Sequence, residues 1–379
     1  MAACPTPICL CNEGTTTPLR TLASRRRGEN IHPVCANNDS VKHDHGCHYR
    51  FAADNPRLRP KAAPAVSRHD GRVDVNLKGG LQKARNYDIE TGGTIVRKET
   101  ETHVSQNSIE MLSLLRLLWT ESELNQFDPS RDTERRYKTV RERIIEASYL
   151  IAVTDQPLSA NCWVPDPGRN GTGSDLVDRL QRLPADRILI VVGELFSGPV
   201  RHQNNEEYEI RLKLILRLPI LLSQKLAESF LTSYLQLRNC RGNQHRWVIG
   251  RAYCSSDGRV RLEALAGMKC HKEHIPIDSE NEGLVFDKAI SERRHFRKPL
   301  LIEGSAAGEF VADIEFLDCE DFAAYPGEVY EGRKDDPDYE SHVEEKEAFY
   351  GKTRWAWFPN RESVIPEFPP KGKRIGTPI

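Results

Sequence analysis

Residues 309–350 constrain this chain more tightly than any other stretch. The run Glu309-Phe-Val-Ala-Asp-Ile-Glu-Phe-Leu-Asp318 alternates, with Phe310, Ala312, Ile314 and Phe316 on one face and Val311, Asp313, Glu315 and Leu317 on the other. A period of two predicts a strand with a carboxylate pair on one side. Turn-forming residues follow, and a second short strand carries Glu328 and Tyr330 on a common face.

The third piece reads as a helix with definable ends. Asp336 suits its cap, Pro337 its first turn and Gly351 its stop. At about 100° per residue, Tyr339, Val343 and Tyr350 form one narrow stripe that includes Lys346, while Glu340, Glu344 and Glu347 point elsewhere. A lysine on the apolar face of a short helix must snorkel outward or meet a carboxylate. Asp313 and Glu328 are the natural partners. Acids at the ends of adjacent strands also suit Mg²⁺, which prefers hard oxygen ligands and keeps several waters. A nearby lysine then serves to orient water or to stabilise developing phosphorane charge. The plainer alternative is a strand–strand–helix unit with solvated acids.

The amino-terminal end holds a second motif. Four of the ten cysteines lie in the first 35 residues, with Cys9 and Cys11 as one close pair and His32 with Cys35 as another. Two such pairs joined by a short loop predict a structural zinc site of three thiolates and one imidazole. Cys4, His43, His45, Cys47 and His48 are spare donors. The competing reading is a loose cysteine-rich tail.

Composition bounds the rest. The 379 residues carry a net charge of −1, so nothing global draws the chain to nucleic acid or membrane. No run approaches the ~20 apolar residues of a membrane span. The start lacks the basic and apolar regions of a signal peptide. These features predict a cytoplasmic protein without a membrane partner, whose cysteines are thiols or metal ligands.

The middle is expected to begin with a linker over 50–70 and a strand over 70–77. Helices are predicted over 107–123 and from Thr133 to Leu150, in a helix-turn-helix or winged-helix arrangement. The second helix bears Arg135, Arg136, Lys138, Arg141 and Arg143. Arg136 and Arg143 are its candidates for DNA phosphate, although interleaved Glu134, Glu142 and Glu146 also fit an ion-paired surface. A buried strand is expected over 187–193, a long helical region interrupted at Pro219 over 206–237, and a hairpin around Ser-Asp-Gly joining 247–253 to 259–266. Cys254, Cys270, His271 and His274 are spaced too irregularly for a metal site and are read as structural.

Asp313 on a strand followed by Glu328 on the next resembles the PD-(D/E)xK nuclease superfamily. Ala312 replaces its proline and Tyr330 stands where its lysine normally lies. Some branches move that lysine to the following helix, a place Lys346 fits. Further signatures are Leu115-Arg-Leu-Leu-Trp119, Arg294-His-Phe-Arg-Lys-Pro-Leu300, Glu328-Val-Tyr-Glu-Gly332 and Trp355-Ala-Trp357. With the cysteine pairs they resemble an uncharacterised family carried by bacterial plasmids and integrative elements, catalogued only as a domain of unknown function. The layout also resembles the competence protein CoiA, in which a cysteine–histidine module precedes a nuclease-like domain.

The expected architecture is multidomain α/β (α+β). A zinc module spans 1–50, a linker with short strands 51–105 and a helical part 106–160. An α+β region spans 161–282, and a PD-(D/E)xK-like restriction-endonuclease fold 283–379. The resemblance implies catalytic roles for Asp313, Glu328 and Lys346, with Glu292 as an auxiliary acid on the preceding helix. It also implies structural Zn²⁺, catalytic Mg²⁺ and DNA as partner. The rival function is a non-catalytic DNA-binding or scaffolding protein that keeps the fold without the chemistry.

Overall fold

The computed structural model describes residues 8–9, 20–27, 30–35, 65–69, 71–82, 108–132, 135–154, 156–168, 171–184, 186–202, 207–233, 237, 240, 244–302, 311–319, 324–331, 339–350 and 354–372. The chain divides into two units, Met1–Ala63 and Pro64–Ile379.

The first unit is a three-stranded antiparallel sheet of β1 (Ile8–Cys9), β2 (Arg20–Arg27) and β3 (Asn30–Cys35), in that order. The register pairs Cys9 with Arg20, His32 with Arg25 and Cys35 with Leu22. Cys11 and the spare donors Cys4, His43, His45, Cys47 and His48 lie outside the described residues. Only the strand backbone is described at Cys9, His32 and Cys35.

The second unit begins with β4 (Val66–His69), β5 (Arg72–Val75), α1 (Met111–Glu121), β6 (Gln126–Phe127) and α2 (Tyr137–Leu150). It continues with β7 (Ile151–Val153), β8 (Gln156–Pro157), β9 (Cys162–Trp163), α3 (Ser174–Arg182), β10 (Leu189–Arg201) and β11 (Tyr208–Leu212). Next come β12 (Ile220–Leu222), α4 (Gln224–Ser233), β13 (His245–Cys254), β14 (Val260–Cys270) and α5 (Glu280–Ser291). The unit closes with β15 (Phe296–Arg297), β16 (Ile314–Phe316), β17 (Tyr325–Val329), α6 (Tyr339–Tyr350) and β18 (Trp355–Trp357). The result is mixed α/β.

A six-stranded sheet ordered β11-β12-β14-β13-β10-β9 forms the middle. Its centre is the expected hairpin, β13 pairing antiparallel with β14. Helix α1 packs on these two strands and buries Leu114, Leu115, Leu117, Leu118 and Trp119 completely. Its leucines recur at helical spacing and its only charged residue before the last turn is Arg116, so nearly its whole surface is apolar. Helix α2 shares that core through Val140, Ile144 and Ala147. The helix expected over 206–237 is corrected: 208–212 and 220–222 are strands, and among the described residues of that range the α-helix is 224–233. Tyr208, Ile210 and Leu212 alternate with charged residues, and strand pairing in the sheet satisfies that period.

The carboxyl-terminal sheet has the order β18-β17-β16-β15-β6. Strands β6, β15, β16 and β17 are antiparallel neighbours, and β18 joins β17 in parallel. In chain order α5-β15-β16-β17-α6-β18 is a helix, three antiparallel strands, a helix and a parallel strand. The layer closes over Phe286, Phe296, Ile314, Phe316, Trp355 and Trp357. Ala312, Ile314 and Phe316 are buried together, as their alternation predicts. A boundary at 283 falls inside α5, and β6 reaches this sheet from the segment 106–160. Among the described residues, no helix is long and apolar enough to cross a membrane.

Candidate functional site

Glu328 lies on β17 and is fully buried. The register pairs Ile314 with Gly327, so one step further along Asp313 stands opposite Glu328. Directly opposed residues of antiparallel strands have Cβ atoms about 5 Å apart. The Val329 amide donates to Asp313 Oδ2 at 2.8 Å and fixes that side chain across the strand pair. Gly327 makes the approach possible: a Cβ there would lie 2.7 Å from Ile314 Cγ2 and 3.0 Å from the Trp355 ring.

Lys346 reaches the site from α6. Its Nζ lies 2.5 Å from Glu328 Oε2 and 5.9 Å from the centre of the Tyr330 ring. Tyr330 itself stacks on Phe358 at 4.7 Å and is buried. Tyr330, two residues after Glu328, is therefore part of the packing, and an ammonium reaches Glu328 from the following helix. Burial pushes the Glu328 carboxyl up to about 7; the Asp313 charge adds to the rise and Lys346 opposes it. The Tyr350 phenol is also pushed up, by burial and by the charges of Glu328 and Asp313.

A second lysine completes the cluster. Lys298 Nζ lies 2.7 Å from Glu282 Oε1, 3.0 Å from Asp278 Oδ2 and 3.7 Å from Asp313 Oδ1. Glu282 sits in the first turn of α5. Ser279 caps that helix by accepting from the Glu282 amide at 3.1 Å, and Glu282 Oε2 accepts from the Asp278 amide at 2.9 Å. Burial pushes Glu282 up to about 8, with Lys298 opposing. Burial also disfavours the Lys298 ammonium, but Glu282, Asp278 and Asp313 outweigh it and hold its pKa above the ordinary lysine value.

Asp313, Glu328 and Lys346 are thus brought together. Glu292 is not: it closes α5 at the opposite end and pairs with Lys288. Glu282, in the first turn of α5 and overlooked by the sequence reading, is the α5 acid that faces Lys298 and Asp313. The pattern Ser279-x-x-Glu282 signals a capping box, which gives this glutamate an ordinary structural explanation and conceals its second contact.

Asp313 and Glu328 carry the kind of oxygen donors that a hard divalent cation would use. Glu328 Oε1 is buried and has no hydrogen-bond partner among the described residues. It lies beside Asp313 and the Lys346 ion pair, which is where an added cation would relieve both carboxylates. Among the described residues, no three His, Cys, Asp or Glu side chains converge to cage a metal alone. Two carboxylates plus waters suffice for Mg²⁺, whose sites commonly leave the remaining positions to water and phosphate.

The basic helix is largely answered within the protein. Arg143 Nη2 lies 2.8 Å from Asp132 Oδ1, and the buried Arg135 pairs with the same carboxylate at 2.6 Å. Arg141 pairs with Asp166 at 3.3 Å, while Arg136 is exposed where α2 begins. Elsewhere, His245 Nδ1 lies 2.7 Å from the buried Glu194, which also pairs with Lys213. Burial raises the Glu194 carboxyl, yet these partners outweigh it and its pKa is lowered. Trp247 Nε1 donates to His274 Nδ1 at 3.0 Å, and His271 lies 3.2 Å from Asp287, so both histidines have structural partners. Cys162, Cys240, Cys254, Cys270 and Cys319 are free thiols.

No curated protein and no solved structure matches the chain. Residues 2–360 match the family described as Protein of unknown function (DUF1173), and the chain belongs to that family.

Proposed function

We propose that this protein is a Mg²⁺-dependent DNA nuclease of the PD-(D/E)xK type, acting in the DNA processing of a bacterial mobile element. One observation carries the reading: the ammonium of Lys346 meets the buried Glu328, which stands opposite Asp313 on the next strand. The helix–three strands–helix–strand order supports it, since it sets the two acids on adjacent strands and the lysine on the helix that follows.

Asp313 and Glu328 would hold the metal, which when bound polarises a scissile phosphate and lowers the pKa of its water. Lys346 supplies positive charge beside that position and stabilises the charge that develops on the phosphoryl oxygens. Tyr330, buried and stacked on Phe358, belongs to the packing beside Lys346. Asp313 is oriented by the Val329 amide, so its carboxylate is set before substrate arrives.

One observation favours the rival reading of a non-catalytic DNA-binding or scaffolding protein. Tyr330 occupies the lysine position, and Lys346 already forms a complete ion pair with Glu328. Incubation with single-stranded, nicked and duplex DNA in Mg²⁺ or Mn²⁺ separates the two. The nuclease reading expects cleavage by the wild type and none by Asp313→Asn or Glu328→Gln. Wild-type protein inert on all three substrates leaves only the rival.

A further inference from the structure

We infer that the site accepts a single divalent cation, because Lys298 occupies the ground between Glu282 and Asp313 that a second ion would need. The inference rests on the metal-dependent reading above and deepens it.

Lys298 is fixed from both directions. Its side chain is 5% exposed and its ammonium touches Glu282, Asp278 and Asp313. Its backbone is clamped by Asn125: the Lys298 amide donates to the Asn125 carbonyl at 2.7 Å, and Asn125 Nδ2 donates to the Lys298 carbonyl at 2.8 Å. Asn125 lies in the turn between α1 and β6, so the lysine is anchored to the large core. A long side chain held this way has already lost the freedom that would let it swing aside for a metal.

The oxygens divide accordingly. Glu282 spends Oε1 on Lys298 and Oε2 on the Asp278 amide. Glu328, by contrast, keeps Oε1 without a partner among the described residues. The unpartnered, buried oxygen therefore belongs to Glu328 and not to Glu282. Lys298 acts on the metal through Glu282 and Asp313, and is a positioning residue.

Titration of the full chain with Mn²⁺, following free Mn²⁺ by electron paramagnetic resonance, counts the ions. One ion per wild-type chain is expected, and none for Asp313→Asn. Lys298→Met removes the ammonium and should admit a second ion. Lys298→Gln, which keeps a donor toward Glu282, should give the same count if the methionine variant does not fold. Lys298→Arg restores the cation and should return the count to one. Two ions on the wild type, or one on a folded Lys298→Met or Lys298→Gln chain, overturns the inference. A wild type that binds no Mn²⁺ instead removes the metal-dependent reading itself, a result distinct from either count.

Discussion

Lys346→Met tests the buried ion pair through its dependence on pH. In the wild type Glu328 is fully buried, its carboxyl is pushed up to about 7, and its Oε2 is paired with the Lys346 ammonium. Removing one partner of a buried pair and leaving the other charged costs about 3–5 kcal/mol. Glu328 avoids that cost where it can keep its proton, so the penalty is set by pH. The folded state holds a proton that an unfolded glutamate has released, so stability falls as pH rises. Without Lys346 the folded pKa moves higher and the fall continues over a wider range. Each further pH unit costs about 1.4 kcal/mol per proton. The variant should match the wild type within about 0.5 kcal/mol at pH 6, because methionine keeps helix propensity and length. It should lie about 1.4 kcal/mol below it at pH 8 and approach about 3 kcal/mol at pH 9. Urea denaturation at these pH values measures the difference. The double variant Lys346→Met/Glu328→Gln should show no such pH dependence. An offset equal at every pH, or a variant more stable than wild type at pH 8, would refute the reasoning.

Three further outcomes follow from particular contacts. Replacing Arg136 and Arg143 together by alanine should flatten the salt dependence of DNA binding by less than about 2 in log–log slope, because Arg143 is engaged by Asp132; a change of about 2 would return Arg143 to the nucleic acid. Gly327→Ala places a methyl group 2.7 Å from Ile314 Cγ2 and should destabilise the chain by about 1–3 kcal/mol in urea denaturation, whereas an unchanged midpoint would show that β16 and β18 give way freely. Protein purified without chelator should carry about one Zn²⁺ through Cys9, Cys11, His32 and Cys35, and metal analysis finding none would remove the zinc module.

The carboxyl-terminal elements were legible because local and long-range signals agree there. The alternation through Ala312, Ile314 and Phe316 matches their burial, and the stripe on α6 placed Lys346 on the side that meets Glu328. The hairpin around Ser-Asp-Gly was legible for the same reason. Residues 206–237 misled because leucine-rich runs satisfy helical and strand periods alike, and sheet pairing decided the outcome. Glu282 was hidden by its capping role, and Lys298 by a run of basic residues that resembles a solvated turn. Only the three-dimensional meeting of α5, β15 and β16 joins them. Strand β6, two residues long, carries no period at all, and its pairing with β15 crosses from one part of the sequence to another.

Anomalous scattering from crystals soaked in Mn²⁺ tests the central claim most directly. The account predicts one peak, coordinated by the carboxylates of Asp313 and Glu328, with Lys346 beside it and Lys298 still bound to Glu282. No peak at these two residues, at Mn²⁺ concentrations that saturate the protein in solution, would contradict it.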